Sequence, residues 1–205
     1  GLAAPAFWER ESSGLAHLAD RVVYPCLIKP AVIHQVKNFM AGRKVFIAKN
    51  AEEFRRVAAT AAGCGGGWLV QEIIPGPESN ITVFGGYIAK DGGVRQAFTG
   101  RKLRQYPPGF GSASLVRSEK LEETRKLSEG FLSAAGFRVV ASVEFKYDER
   151  DGKLKIIEIN PRPALWFALS HHAGKRIALA AFNDLSGGAA VPEREQDDGV
   201  LWRYL

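Results

Sequence analysis

Apolar positions along the chain fall into short runs separated by glycine, proline and charge. Residues 22–29 (VVYPCLIK), closed by Pro30, have the pattern of a buried strand. Residues 31–43 show no period, contain Gly42 and read as a loop. Residues 44–48 (KVFIA) read as a second strand, and residues 68–74 as a third that Pro75, Gly76 and Pro77 break. Between these two strands, Asn50 is placed to cap a helix, with Glu53 at the capping-box position. Phe54, Val57, Ala58 and Ala61 then follow at i, i+3, i+4 and i+7, one apolar stripe of a helix. Gly63, Gly65, Gly66 and Gly67 stop it and read as a connector.

The second half is richer in strands. Residues 80–89 and 94–99 alternate like strands around the polar turn Lys90, Asp91, Gly92, Gly93. Residues 100–114 (GRKLRQYPPGFGSAS) are basic and rich in proline and glycine, which predicts irregular structure. Residues 118–135 suit a helix with Gly136 just past its end. Residues 139–148 and 153–160 make a hairpin around residues 149–152. After Pro163 the pattern gives two short helices split at Gly174, then a polar tail. No internal repeat is present, and the elements lack the regular rhythm of a parallel sheet, so an α+β fold is expected.

Composition narrows the class. The 205 residues are 46% hydrophobic and 24% charged, enough for a real core in one domain or two small lobes. No apolar run approaches the roughly 20 residues that a membrane helix needs. The two cysteines, Cys26 and Cys64, have no metal-ligand spacing, which points to a reducing cytoplasm. Lysine and arginine outnumber acids 28 to 22, a net +6 that favours polyanions, nucleotide phosphates as much as nucleic acid. A start at Gly1 and a single methionine, Met40, suggest a piece of a longer polypeptide.

The hairpin carries the most informative chemistry. Val143, Phe145 and Tyr147 alternate with Glu144, Lys146 and Asp148, and Ile157 and Ile159 with Glu158 and Asn160. A turn centred at Asp151 sets Glu144 across from Glu158, both pointing to one side. Like charges so opposed are destabilising in a sheet, whereas two carboxylates and the Asn160 amide oxygen suit a hard divalent cation. The same spacing also suits a solvated hairpin face with Lys146 neutralising the acids.

Phosphate chemistry needs cations as well. Neither a P-loop nor a dinucleotide-binding glycine fingerprint is present, and protein-kinase signatures are missing. Lys29, at the end of a buried strand, is either a fixed ammonium for phosphate or a solvated strand end. Arg101, Lys102 and Arg104 form a second basic cluster, which suits phosphoryl oxygens, nucleic acid or plain solvent. His171 and His172 are adjacent and point in different directions, so they cannot share a metal. No nucleophile motif is recognisable.

Taken in order, YPCLIKP (24–30), KVFIAKNAEEF (44–54), WLVQEIIPGPE (68–78) and VEFKYDERDGKLKIIEINPRP (143–163) resemble the ATP-grasp superfamily. With FTGRKLRQYPPGFGSAS (98–114), the likeness is to its carboxylate–amine ligase-like members. The resemblance implies two α+β lobes with antiparallel sheets holding ATP between them, a small lobe at 1–76 and a large lobe at 77–205. It implies that Lys29 contacts the α/β phosphates, with Lys44 also reaching ATP. Gln71, Glu72 and the backbone around Ile74 would read adenine, and Glu78 would bond the ribose hydroxyls. Glu144, Glu158 and Asn160 would hold Mg²⁺, or Mn²⁺ in its place, while Arg162 and Lys102 would sit near the transferred phosphoryl group.

The implied function is an ATP-dependent ligase that activates a small-molecule carboxylate as an acylphosphate for attack by an amine. Trp166, Phe167 and His171 either border the substrate pocket or pack as a helix. The loop after Pro30 (AVIHQVKNFMAGR) lacks the glycines that cover the phosphates in better-known members. The resemblance implies an N-terminal domain ahead of this region that this piece is expected to lack, so a truncated or degenerate ATP-binding module without turnover is the first alternative. A basic nucleic-acid-binding domain on Arg101, Lys102, Arg104, Tyr106 and Phe110 is the second, and it leaves the paired acids unexplained. The expected setting is cytoplasmic, without membrane.

Overall fold

A computed structural model describes residues 2–9, 14–32, 36, 40, 45–63 and 67–204. Lys44, Cys64 and most of the loop 31–43 lie outside the described residues. The chain divides into two units, Pro5–Ile74 and Pro75–Leu205 with Gly1–Ala4.

The first unit holds β1 (Phe7–Glu9), β2 (Cys26–Pro30), β3 (Phe46–Ala48), α1 (Ala51–Ala62) and β4 (Trp68–Glu72). Its antiparallel sheet has the order β1-β4-β2-β3. The amide of Glu53 donates to Asn50 Oδ1 at 2.9 Å, so α1 starts at its expected cap. The Glu53 carboxylate accepts from the Lys49 amide at 2.8 Å rather than from Asn50 itself. Phe54, Ala58 and Ala61 enter the core with Cys26, Ile28, Trp68 and Val70, as the stripe predicts. β2 is shorter than its apolar run. Pro25 has no N–H to give a ladder, and Val22 reaches the core from outside the strand. β4 likewise ends at Glu72, opposite Cys26, where its partner strand begins.

The second unit contains β5 (Ile81–Ile88), β6 (Val94–Tyr106), β7 (Ser112–Ser118), α2 (Glu122–Ala134), β8 (Val139–Asp148), β9 (Lys153–Asn160), α3 (Ala168–His172), α4 (Ile177–Ser186) and β10 (Leu201–Arg203). Its sheet is antiparallel in the order β10-β7-β6-β5-β8-β9. β5 is buried at every position because the sheet is covered on both faces. On one side Phe84, Ile88, Val143 and Phe145 pack with Leu132 of α2. On the other, Val83, Tyr87, Phe98 and Val116 meet Trp166, Leu169 and Ile177. Gly85 permits this second contact, since a Cβ there would lie 2.9 Å from the Phe167 ring and 3.1 Å from Trp166.

Three expectations fail in this unit. Residues 100–114 are not irregular: β6 runs to Tyr106 and β7 starts at Ser112. The proline and glycine signal belongs only to the turn between them, where a Cβ on Gly111 would strike the Tyr106 and Pro107 backbone. Helix α2 starts at Glu122 rather than 118, because Ser118 completes the β7 ladder opposite Gly100. The polar tail is folded back on the sheet: β10 pairs with β7, and buried Gln196 bonds both the N–H and C=O of Thr99 at 2.9 Å. Polar side chains there bond the part of β6 before Gly100, which the β7 ladder does not reach.

Candidate functional site

The expected residues fall into one set in each unit. In the first, Lys29 lies on β2 and its Nζ donates to Gln71 Oε1 on β4 at 2.9 Å. The phosphate lysine and the adenine-reading glutamine of the sequence analysis are therefore direct neighbours. Glu72 is buried, and its carboxylate accepts from the Ala6 amide at 3.1 Å. Ile74 is buried just past the strand.

In the second unit the hairpin of β8 and β9 supplies the acids. Its turn is centred between Arg150 and Asp151, and the ladder runs from Asp148 opposite Lys153 to Phe145 opposite Ile156. Continued unchanged, that register would set Glu144 against Ile157. A bulge at this point adds one residue to β9, so that Glu144 pairs with Glu158 and Ser142 with Asn160. The opposition of the two acids is as expected, but the bulge produces it and the turn does not.

The hairpin's charged face is solvated only in part, since Glu158 is exposed. Glu144 is only 7% exposed, and the ammonium of Lys102, 2% exposed, forms an ion pair with it across the sheet. Lys146, expected to neutralise the acids, instead donates to the Gly76 carbonyl at 2.9 Å, and burial holds its pKa down. Among the described residues no three His, Cys, Asp or Glu side chains come together so as to hold a metal ion by themselves. A cation here would thus rely on Glu144, Glu158, the Asn160 oxygen and oxygens from outside the protein.

Glu78 is engaged by the turn between β6 and β7. It accepts from the amides of Gln105 and Gly109, each at 2.7 Å, and from Gln105 Nε2 at 3.4 Å. A carboxylate offers about four lone-pair sites, so capacity for a hydroxyl remains. Arg162 is exposed beyond β9, its guanidinium donating to the Pro163 carbonyl at 3.1 Å. Lys44 lies outside the described residues.

The basic cluster does not form a patch. Lys102 goes to Glu144, whereas Arg101 makes a forked pair with Glu119, which Arg117 also contacts at 2.8 Å. Arg101 lowers the Glu119 pKa to about 2 against the opposing effect of burial, with Arg117 adding to the lowering. Trp166 is a core residue in contact with Phe98 and Phe167, so it borders no open pocket. The rings of His171 and His172 meet edge to face at 5.7 Å. A cleft of about 400 Å³ opens elsewhere, where Lys120, Arg125 and Lys175 face Glu193 and Glu195; none of the expected site residues lines it.

Sequence reasoning missed Gln105. It is 5% exposed, and its side chain touches both Glu78 and Lys102. No spacing signal marks it, because it sits in the proline- and glycine-rich stretch 100–114, whose composition reads as irregular.

No family model matches the chain. D-aspartate ligase of Enterococcus faecium (strain Aus0004) is 31% identical over 145 residues, 68% of this chain and 34% of that protein. The chain thus spans about a third of the length of this curated relative. The carboxyaminoimidazole ribonucleotide synthase of Aspergillus clavatus, solved with ATP, aligns over 98% of this chain and 51% of its own, with TM-score 0.72 and 15% identity. The biotin carboxylase domain of Hydrogenobacter thermophilus 2-oxoglutarate carboxylase, solved with MgADP, ADP and bicarbonate, covers 97% of this chain and 45% of its own, at TM-score 0.68 and 19% identity. The chain belongs to the ATP-grasp superfamily. Its α+β architecture of antiparallel sheets is the ATP-grasp fold. No helix among the described residues of this ATP-grasp chain is long and apolar enough to cross a membrane.

Proposed function

We propose that this chain is the nucleotide-binding and catalytic region of an ATP-dependent carboxylate–amine ligase. The observation that carries the proposal is the opposition of Glu144 and Glu158 beside buried Lys102, with Asn160 two residues along β9. Opposed carboxylates cost stability unless a cation offsets them, and hard oxygen donors of this kind fit Mg²⁺, with Mn²⁺ able to replace it. The 31% identity to D-aspartate ligase supports the reaction class, and the ATP and MgADP bound by the structural neighbours support the cofactors.

In this reading Lys29 and Lys44 face phosphates, Gln71, Glu72 and the Ile74 backbone face adenine, and Glu78 takes the ribose hydroxyls. Glu144, Glu158 and Asn160 hold the metal, which would neutralise phosphate charge and orient the triphosphate. Arg162 and Lys102 steady the transferred phosphoryl group. A carboxylate oxygen attacks the γ-phosphorus, the bond to the ADP oxygen breaks, and an acylphosphate forms. An amine nitrogen then attacks the acyl carbon, loses a proton, and phosphate leaves. The protein contributes position and charge rather than a covalent intermediate.

Thermal unfolding with and without MgATP tests the site. MgATP raises the melting temperature of the wild type, and Lys29→Ala or Glu158→Ala abolishes that rise. Equal stabilisation of all three proteins overturns the proposal. The chain spans 34% of its relative's length, which favours a second reading, a binding module that needs an upstream domain for turnover. Acceptor-dependent ADP formation, measured on this chain and on a longer parent with a panel of amino acids and small carboxylates, separates the two. The carboxylate and amine are small molecules in both readings. The ion pairs that engage Arg101 and Lys102 weigh against a nucleic-acid partner, and the cytoplasm is the setting that fits.

A further inference from the structure

From this nucleotide-site reading, on which the step rests, we infer that Gln105 is a positioning residue that holds the Lys102 ammonium when Glu144 is given up to a cation. Four side chains make one continuous polar chain in the second unit. Glu78 accepts from the Gln105 amide nitrogen at 3.4 Å, the Gln105 oxygen accepts from Lys102 Nζ at 3.4 Å, and Lys102 pairs with Glu144. The orientation of the Gln105 amide is fixed by its nitrogen, which also donates to the Gly109 carbonyl at 2.8 Å. That bond turns the amide oxygen toward Lys102.

The electrostatics of Lys102 make this second acceptor necessary. At 2% exposure its ammonium cannot fall back on bulk water, and a buried charge stripped of its partner is costly. A divalent cation arriving between Glu144 and Glu158 competes for the carboxylate that Lys102 occupies. With Gln105 in place, the ammonium keeps a neutral oxygen and turns its remaining donors to a phosphoryl oxygen. Without Gln105, it keeps to Glu144 alongside the cation and turns no donor to that phosphoryl oxygen. The same amide ties the turn between β6 and β7 to Glu78, so the sugar end and the metal end of the site share one strut.

Calorimetric titration of MgATP and MgADP into the full chain tests this. Gln105→Met keeps the length of the side chain and removes the acceptor. Loss of a hydrogen bond to a charged group corresponds to about tenfold in affinity, expected for MgATP, while MgADP, which lacks the phosphoryl group that Lys102 faces, binds as to the wild type. A simple packing defect would weaken both nucleotides alike. Gln105→Asn, which withdraws the oxygen by one methylene, gives the same split and serves where Gln105→Met does not melt cooperatively. If the wild type binds both nucleotides and the variants bind both unchanged, or lose both equally, the role of Gln105 is overturned and the nucleotide site stands. If the wild type binds neither, the nucleotide site falls and this inference falls with it.

Discussion

The two ends of the β8–β9 hairpin carry carboxylates on one strand, four residues apart, in opposite circumstances. Asp148, at the turn end, is fully buried and receives Arg150 at 2.6 and 2.8 Å and Lys155 at 2.6 Å. Arg150 first, with Lys155 adding to it and burial opposing, holds its pKa far below the usual carboxylate range. Glu144, beyond the bulge, pairs with Lys102 from another strand and faces a second acid, Glu158. Cations within the hairpin itself secure the first acid, and its work is structural. The second sits where like charges are set together and an outside cation relieves them. Burial alone separates the two poorly; the sign of the facing charge does better.

The largest expected effect comes from breaking the saturated end. Asp148→Ala leaves Lys155 and Arg150 without their acid and should cost about 3–5 kcal/mol of unfolding free energy in urea titrations. A cost below about 1 kcal/mol would equate it with an ordinary surface pair. Next is Lys102→Met, which removes a buried cation from beside Glu144 and Glu158; about 2–3 kcal/mol should be lost. Adding Glu158→Gln should restore part of this, and no recovery in that double-mutant cycle would deny that the two acids repel.

Glu119 sharpens the comparison as a third, half-exposed case. Its folded pKa of about 2 lies below the ordinary 4.5. The stability it contributes is therefore complete above about pH 4.5 and disappears as the pH falls toward 2. Glu119→Gln should cost about 1 kcal/mol at pH 7, discounted for solvent screening, and should flatten the acid limb of the stability profile. An unchanged limb would deny Glu119 a share in it. The smallest effect is expected of Glu158→Gln by itself. It should raise stability by up to about 1 kcal/mol without nucleotide and still abolish the stabilisation by MgATP.

Local signals served the sequence analysis best where one element explained its own pattern. Asn50, Phe54, Ala58 and Ala61 define α1 because a cap and a stripe need nothing beyond the helix. The hairpin boundaries at 139–148 and 153–160 were likewise legible. The segment 100–114 was not, because five turn residues lent their proline and glycine character to two long strands. The polar tail misled for a related reason: Gln196 makes ladder-like bonds with its side chain, which composition registers only as solvation. Trp166 reads equally as pocket wall or core until Gly85 and Phe98 are seen against it.

From the order of residues alone come the α+β class, because alternation and local spacing are properties of neighbouring residues, and the ATP-grasp family, through the resemblance of its ordered segments; the pairing of Glu144 with Glu158 was expected from the turn, but the bulge supplies it. Which cation meets which acid was decided only in three dimensions. Lys102 reaches Glu144 from a strand 42 residues away in sequence, a one-residue bulge turns Glu158 to the same face, and Gln105 joins them through a turn that brings Glu78 close. Pairing across strands depends on register, and here the register that the turn starts is shifted by a bulge that the local pattern does not announce.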